Sequence, residues 1–359
     1  MSSKERNNLV IMLSFSSSLH TITRKRSLKN ISYINRYFKV YIVSHEDMPK
    51  FIRKRKAIKL LYFFLAPLLF KAVRKCNIIL VSGNGMILAF FSKLFFPKSK
   101  IFAEYHFRYN NFFYKITDFL IKYFTDGIII QTHSLGKHLY PFYSRNKKYD
   151  KLLYIPNHAN TKIFHPFQVP IKDKSIKDEF IIGWVGFLNK HKWISKNIES
   201  LFKAITLLPE SLRKITLLKL VGHVTEAIKK YLQKKYPKVN VTFTGVVANE
   251  DLPQYYNNFS LFILPSTHEG SAKVLLEALG CGCLIIVNDL EELKEVIRHN
   301  ENGLVIDCND PVKLKNAIYE LVNDPEKRIR LRNNAYLDRK KYNNKILLTR
   351  ESKFIKSLL

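Results

Sequence analysis

Two carboxylates eight residues apart, Glu269 and Glu277, bracket a stretch suited to holding an anion. An apolar run, Leu261 to Leu264, leads through Pro265-Ser266 into a turn carrying Gly270, and a helix-forming run follows through Glu277. With Glu269 at the turn and Glu277 in the helix, the spacing places them roughly 12 Å apart along the axis, at ~1.5 Å per residue. A glycoside-hydrolase acid and nucleophile pair needs carboxyls about 5–10 Å apart. The spacing suits two ends of one elongated ligand better. Between the two lie the free N–H groups of a helix start, which attract anions. A ligand with hydroxyls at both ends and phosphate in the middle fits, and a nucleotide-sugar is such a ligand.

The elements that must position this stretch are legible as short apolar runs. Leu9–Phe15, Phe38–Ser44, Asn77–Gly83, Lys100–His106, Gly127–Thr132 and Leu152–Pro156 form one set. Phe180–Gly186, Ile215–Gly222, Val239–Gly245, Leu261–Leu264, Leu284–Val287 and Leu304–Ile306 form a second. Helical-length segments separate most of them, which predicts parallel sheets covered by helices. The expected fold is α/β, with two Rossmann-like doubly wound domains facing across a cleft at their strand carboxyl ends. The domains are expected at 1–166 and 180–335, joined by a polar linker at 167–179. A C-terminal helix at 336–359 is expected to pack back towards the first domain.

Charge is the unusual property of the composition. The 359 residues carry 60 Lys and Arg against 29 Asp and Glu, a formal net charge of +31. Residues 1–165 hold 29 basic and 7 acidic residues, and no acid occurs from Met48 to Ala103. Such a field favours anionic partners: nucleic acid, acidic lipid or phosphorylated substrate. No recognised nucleic-acid module accompanies it, so a specific nucleic-acid partner is not expected. Leu60–Phe70 is apolar and flanked by Arg53-Lys54-Arg55-Lys56 and Lys71, but it is too short to span a bilayer, which takes about 20 residues. It reads as a crossover helix whose basic face could meet lipid. Leu9–Phe15 follows basic residues like a leader, yet its short apolar core and the Ser16-Ser17-Ser18 that follows read as a buried strand. The four scattered cysteines, Cys76, Cys281, Cys283 and Cys308, read as reduced thiols, pointing to a cytoplasmic setting. No D-x-D pair argues for a bound metal, and no cofactor is expected.

An ordered set of motifs resembles the GT-B glycosyltransferases, specifically glycosyltransferase family 4 (glycosyl transferases group 1). Its members are Gly183-Trp184-Val185-Gly186, Leu220-Val221-Gly222, Phe243-Thr244-Gly245-Val246-Val247 and Asp251-Leu252-Pro253-Gln254-Tyr255-Tyr256. Leu264-Pro265-Ser266 with Glu269 and Glu277, and Asn302-Gly303-Leu304, complete it, while Ile155-Pro156-Asn157 and Phe164-His165-Pro166 resemble the junction segment. The resemblance covers residues 150–335 well and the first half weakly.

That resemblance implies a retaining, metal-independent transfer of a sugar from a nucleotide-sugar to a hydroxyl of a glycan or lipid-linked acceptor. It implies a catalytic set of His106, Lys192 and Glu269. Glu277 would bind ribose, and Glu269 the donor sugar. The backbone around Ser271, Ala272 and Lys273 would hold the diphosphate, with Lys192 neutralising its charge, and Gly186, Gly270 and Val274 would also contact the donor. Val246 and Val247 would flank the base, and His106 would face the acceptor. The chain departs from the family at Phe187, where an arginine is usual; Lys190 is the expected substitute cation, without the bidentate fork. Pro156-Asn157-His158-Ala159-Asn160 lacks the family's glycine and aspartate. Other readings are a degenerate GT-B protein, a basic anion-binding protein, and a GT-B epimerase or phosphorylase. The basic first half suggests peripheral attachment to the inner face of the membrane.

Overall fold

A computed structural model describes residues 8–12, 39–43, 78–82, 98, 100–105, 118–119, 121–140, 149–168, 179–270 and 272–358. His106, Ser271, the Leu60–Phe70 segment and most of the expected linker lie outside the described residues. The chain divides into two units. One comprises residues 1–156 and 345–359, the other residues 157–344. The boundary falls between Pro156 and Asn157, ahead of the break expected at 166.

The first unit holds β1 (Asn8–Met12), β2 (Lys39–Val43), β3 (Ile78–Ser82), β4 (Lys100–Tyr105), β5 (Gly127–Ile130) and β6 (Leu152–Tyr154). They pair in parallel in the order β2-β1-β3-β4-β5-β6. Ile101, Phe102 and Ala103 of β4 and Ile128, Ile129 and Ile130 of β5 are all buried. Consecutive buried residues are what a strand covered on both faces requires. Asp126 pins the entry to β5, accepting from the Ile101 N–H at 2.9 Å and from Lys100 Nζ at 3.4 Å. Helix α1 (His133–Leu139) follows, capped by Thr132, whose hydroxyl accepts from the Leu135 N–H.

The second unit holds β7 (Phe180–Leu188), β8 (Thr216–Val224), β9 (Val241–Gly245), β10 (Leu261–Leu264), β11 (Ile285–Asn288) and β12 (Leu304–Ile306). Their order, β12-β11-β10-β7-β8-β9, is that of the doubly wound dinucleotide-binding sheet, with the order reversing between β7 and β10. Its helices are α2 (Trp193–Lys196), α3 (Ile198–Thr206), α4 (Glu210–Ile215), α5 (Glu226–Lys235), α6 (Leu252–Asn258), α7 (Lys273–Gly280), α8 (Glu291–Lys294), α9 (Pro311–Asn323) and α10 (Pro325–Asp338).

The period of two along each strand divides this core into two layers. Phe180, Ile182, Trp184 and Leu188 of β7, with Leu261 and Ile263 of β10, join α3 and α9 in one layer. Val185, Phe262 and Leu264 join α7 and the rings of Tyr256 and Phe259 in the other. The final helix, α11 (Asn344–Ser357), belongs to the first unit, where Phe354 meets Phe102 edge-on at 6.2 Å.

All twelve expected strands are present. β7 and β8 run two residues further than the sequence suggested, because Phe187 pairs with His223 and Leu188 with Val224. No helix among the described residues is long and apolar enough to cross a membrane.

Candidate active site in the second unit

The site is built at the carboxyl ends of β7, β8 and β10, where the strand order reverses and such sheets bind ligands. Gly222 sits opposite Gly186 in the ladder, with φ +115°. A Cβ there would lie 2.0 Å from the Gly186 carbonyl oxygen, so only glycine lets β8 pass this close to β7. One residue later the two strands present aromatic rings. Phe187 and His223 stack at 4.6 Å with 19° between their planes.

Beyond β7 the chain turns through Asn189, whose side-chain oxygen accepts from the N–H groups of His191 and Lys192 at 3.1 and 3.0 Å. This turn carries Lys190, which is exposed, and Lys192, whose ammonium lies 5.5 Å from the centre of the Phe187 ring. Asn197 then adopts the left-handed conformation, φ +48°, between α2 and α3. Its side-chain NH2 lies 3.2 Å from the Pro265 carbonyl oxygen and 3.3 Å from that of Cys308. The Thr267 N–H donates to the Ser195 carbonyl at 2.9 Å. These bonds fasten α2 to the loop after β10, and they bring Lys196 onto Glu269 as an ion pair of low exposure.

Lys192 belongs to the same electrostatic group. Partial desolvation pulls its ammonium below the ordinary lysine range; Lys196 pushes the same way and Glu269 opposes. Two cations and one carboxylate thus share the strand ends. Such a group offers an anionic ligand charge-assisted hydrogen bonds in a partly dry setting.

Glu277 occupies a different environment. It lies on the buried face of α7 with no exposed surface, and the Tyr256 hydroxyl donates to its Oε2 at 3.0 Å. Burial, with the Glu277 carboxylate next, raises the Tyr256 phenol well above its usual range, so the ring remains a donor. Burial likewise raises the Cys281 and Cys308 thiols, which makes them poor nucleophiles.

Glu269 precedes the first residue of α7, so it stands on the loop and only Glu277 stands on the helix. Gly270, Ala272, Lys273 and Val274 lie at the start of α7, half-buried, and Ala272 supplies no side-chain cap to the first N–H groups. Gly245, at φ +75°, turns the chain out of β9 and leaves Val246 80% exposed, whereas Val247 packs against the α7 layer. Among the described residues, no group of three or more His, Cys, Asp or Glu could hold a metal ion.

Sequence reasoning missed Lys196, Asn197, Tyr256 and the Phe187–His223 stack. For Lys196 a signal existed. It stands two residues before Ile198, the first residue of an apolar helix face through Leu201, Phe202 and Ile205, so it lies near the strand ends.

Comparison with known proteins agrees with this architecture. Residues 169–338 match the family model of glycosyl transferases group 1. The serotype-specific mannosyltransferase WbdA of Escherichia coli is 35% identical over 133 residues, which is 35% of this chain and 16% of WbdA. The chain therefore spans well under two thirds of that relative. Sucrose-phosphate synthase from Thermosynechococcus elongatus superposes with a TM-score of 0.77 at 18% identity, covering 98% of this chain and 99% of that one. Anabaena HepE, solved with UDP and glucose, gives 0.69 at 14% identity, covering 98% and 100%. The fold is that of the GT-B glycosyltransferases, and residues 169–338 are similar to the glycosyl transferases group 1 family.

Proposed function

We propose that the chain is a retaining glycosyltransferase of family 4, moving a sugar from a nucleotide-sugar to a hydroxyl of a glycan or lipid-linked acceptor. The observation that carries this reading is the ion-paired Lys196–Glu269 group beside the start of α7, at the point where the strand order reverses. HepE, of the same fold, was solved with UDP and glucose, and WbdA is a mannosyltransferase.

In this reading the start of α7 and the cations Lys192 and Lys196 hold the donor diphosphate. Glu269 binds the sugar hydroxyls and Glu277 the ribose, with Val246 and Val247 beside the base. Charge on the departing diphosphate is met by these groups without a metal, and the leaving phosphate oxygen takes the acceptor proton. His106 faces the acceptor. The +22 of residues 1–165 and the exposed Phe119 and Tyr123 favour an acceptor on the anionic inner face of the membrane.

A thermal-shift screen of UDP-, GDP- and ADP-sugars tests the donor half. Stabilisation of the wild type by one nucleotide class, lost in Glu277→Ala, supports the reading. No shift with any of them removes it. Sedimentation at low salt with neutral and anionic vesicles tests the membrane half, and equal binding to both defeats it.

A further inference from the structure

We infer that Phe187 and His223 are positioning residues that hold Lys192 as the second cation for the donor diphosphate. This rests on the donor reading above and names residues it does not use. The chain presents three groups in a row at the ends of two adjacent strands. The His223 imidazole backs the Phe187 ring at 4.6 Å, nearly parallel. The Lys192 ammonium lies 5.5 Å from the centre of that ring. Lys192 in turn feels both Lys196 and Glu269.

Several features make this a positioning device. Phe187 is 44% exposed at the end of β7. An exposed ring has a free face, and an ammonium over it is attracted by the ring quadrupole. The ladder fixes the ring's other contact, because Phe187 and His223 are register partners. Gly222, immediately before His223, lets β8 pass close to the Gly186 carbonyl of β7. The Asn189 turn fixes the Lys192 backbone, since both its side-chain and main-chain oxygens accept from the Lys192 N–H at 3.0 Å. A lysine stem that is long and flexible thereby gains a defined end point. Lys196 needs no such help, because Glu269 holds it. Two cations held by different means divide the work: Lys196 is tied to the sugar-side carboxylate, while Lys192 keeps its hydrogens for the diphosphate.

The test uses UDP, GDP and ADP as titrants in calorimetry on the full chain, with melting curves to confirm that each variant folds. Lys192→Met is expected to weaken binding of the nucleotide that the wild type takes by about tenfold. Phe187→Leu keeps apolar bulk but has no π face, and is expected to weaken it about three- to fivefold. Phe187→Tyr keeps the face and should restore wild-type affinity, as should His223→Phe. In the Lys192→Met background Phe187→Leu should add nothing, because its effect passes through the ammonium.

Wild-type affinity in Phe187→Leu, or an equal loss in Phe187→Leu and Phe187→Tyr, overturns the assignment while the donor reading stands. So does an undiminished Phe187→Leu effect in the Lys192→Met background. A folded wild type that binds none of UDP, GDP and ADP overturns the donor reading, and this assignment with it.

Discussion

Glu269 in the second unit and Glu351 in the first are both carboxyls of low exposure, and the protein treats them oppositely. Glu269 meets the Lys196 ammonium in an ion pair at the sheet's carboxyl edge. Glu351, on α11, is 6% exposed, and burial pushes its carboxyl up to about 8, with Glu104 of β4 adding to the rise. One unit stations charge where chemistry is expected. The other buries a carboxyl that is best kept protonated. The difference tells function from packing more clearly than burial does, because a buried acid with a fitted cation is held ready, whereas one beside another acid is held neutral.

The largest expected effect breaks the first half of this contrast. On the proposed reading, Lys196→Met leaves Glu269 without its ion-pair partner and takes one counter-charge away from the departing diphosphate. Sugar transfer should fall by about 10²–10³-fold, mainly in kcat, the range seen when one preorganised donor to a developing anion is lost. Steady-state kinetics with the donor identified by thermal shift measures it. A loss confined to KM would reassign Lys196 to ground-state binding.

The second half is tested through pH. The Glu351 carboxyl releases its proton near 4.5 when unfolded and near 8 when folded. Between those values the folded state holds the extra proton, so stability falls as pH rises, on the order of 1 kcal/mol per pH unit. Below 4.5 both states hold the proton, so the pH dependence vanishes and no ionisation penalty remains. Glu351→Gln cannot ionise, so its melting temperature should match the wild type at pH 5 and exceed it increasingly towards pH 8. Parallel curves for the two proteins over that range would show that Glu351 is charged in the folded state.

The same contrast explains what could be read from the chain beforehand. Strands such as Ile128-Ile129-Ile130 and Leu261-Phe262-Ile263-Leu264 were legible because strands covered on both faces are unbroken apolar runs. Glu269 and Glu277 were legible because they flank a strand-turn-helix passage. Lys196 was obscured by Lys190 and Lys192, which stand in the same short stretch with the same chemistry. The tertiary bonds of the neighbouring residues, such as Thr267 N–H to the Ser195 carbonyl, fix which lysine faces Glu269. Glu351 was hidden for the opposite reason. In a basic tail an acid reads as a surface residue, and nothing local shows that α11 turns that face onto the first sheet. Tyr256 read as core, which it is, but its hydroxyl function needed the partner on α7 to be visible.

Asn197 holds the geometry on which the Lys196–Glu269 pair depends, and it tests how much of that geometry is backbone. Asn197→Ala loses the side-chain bonds to Pro265 and Cys308 and places a methyl-bearing residue at φ +48°. A loss of about 2–4 kcal/mol is expected from the two together. Asn197→Gly loses the bonds but accepts the left-handed conformation, so it should cost less. Urea denaturation ranks the three proteins. An alanine variant as stable as the glycine one would show that the left-handed turn is not retained in solution.

The smallest effect probes Glu277, the second carboxylate of the pair that framed the site. Tyr256→Phe keeps the ring packed among Phe164, Phe259 and Phe262 and removes only the hydroxyl that donates to Oε2. Losing one buried donor to a carboxylate should lower stability by about 1–2 kcal/mol. If Glu277 serves the ribose, the same change should also weaken UDP or GDP, because the carboxylate loses the bond that orients it on α7. Stability and nucleotide affinity must then fall together. A variant that loses stability and binds nucleotide as tightly as the wild type would make Glu277 a structural acid, leaving Glu269 as the only carboxylate of the two that serves the ligand.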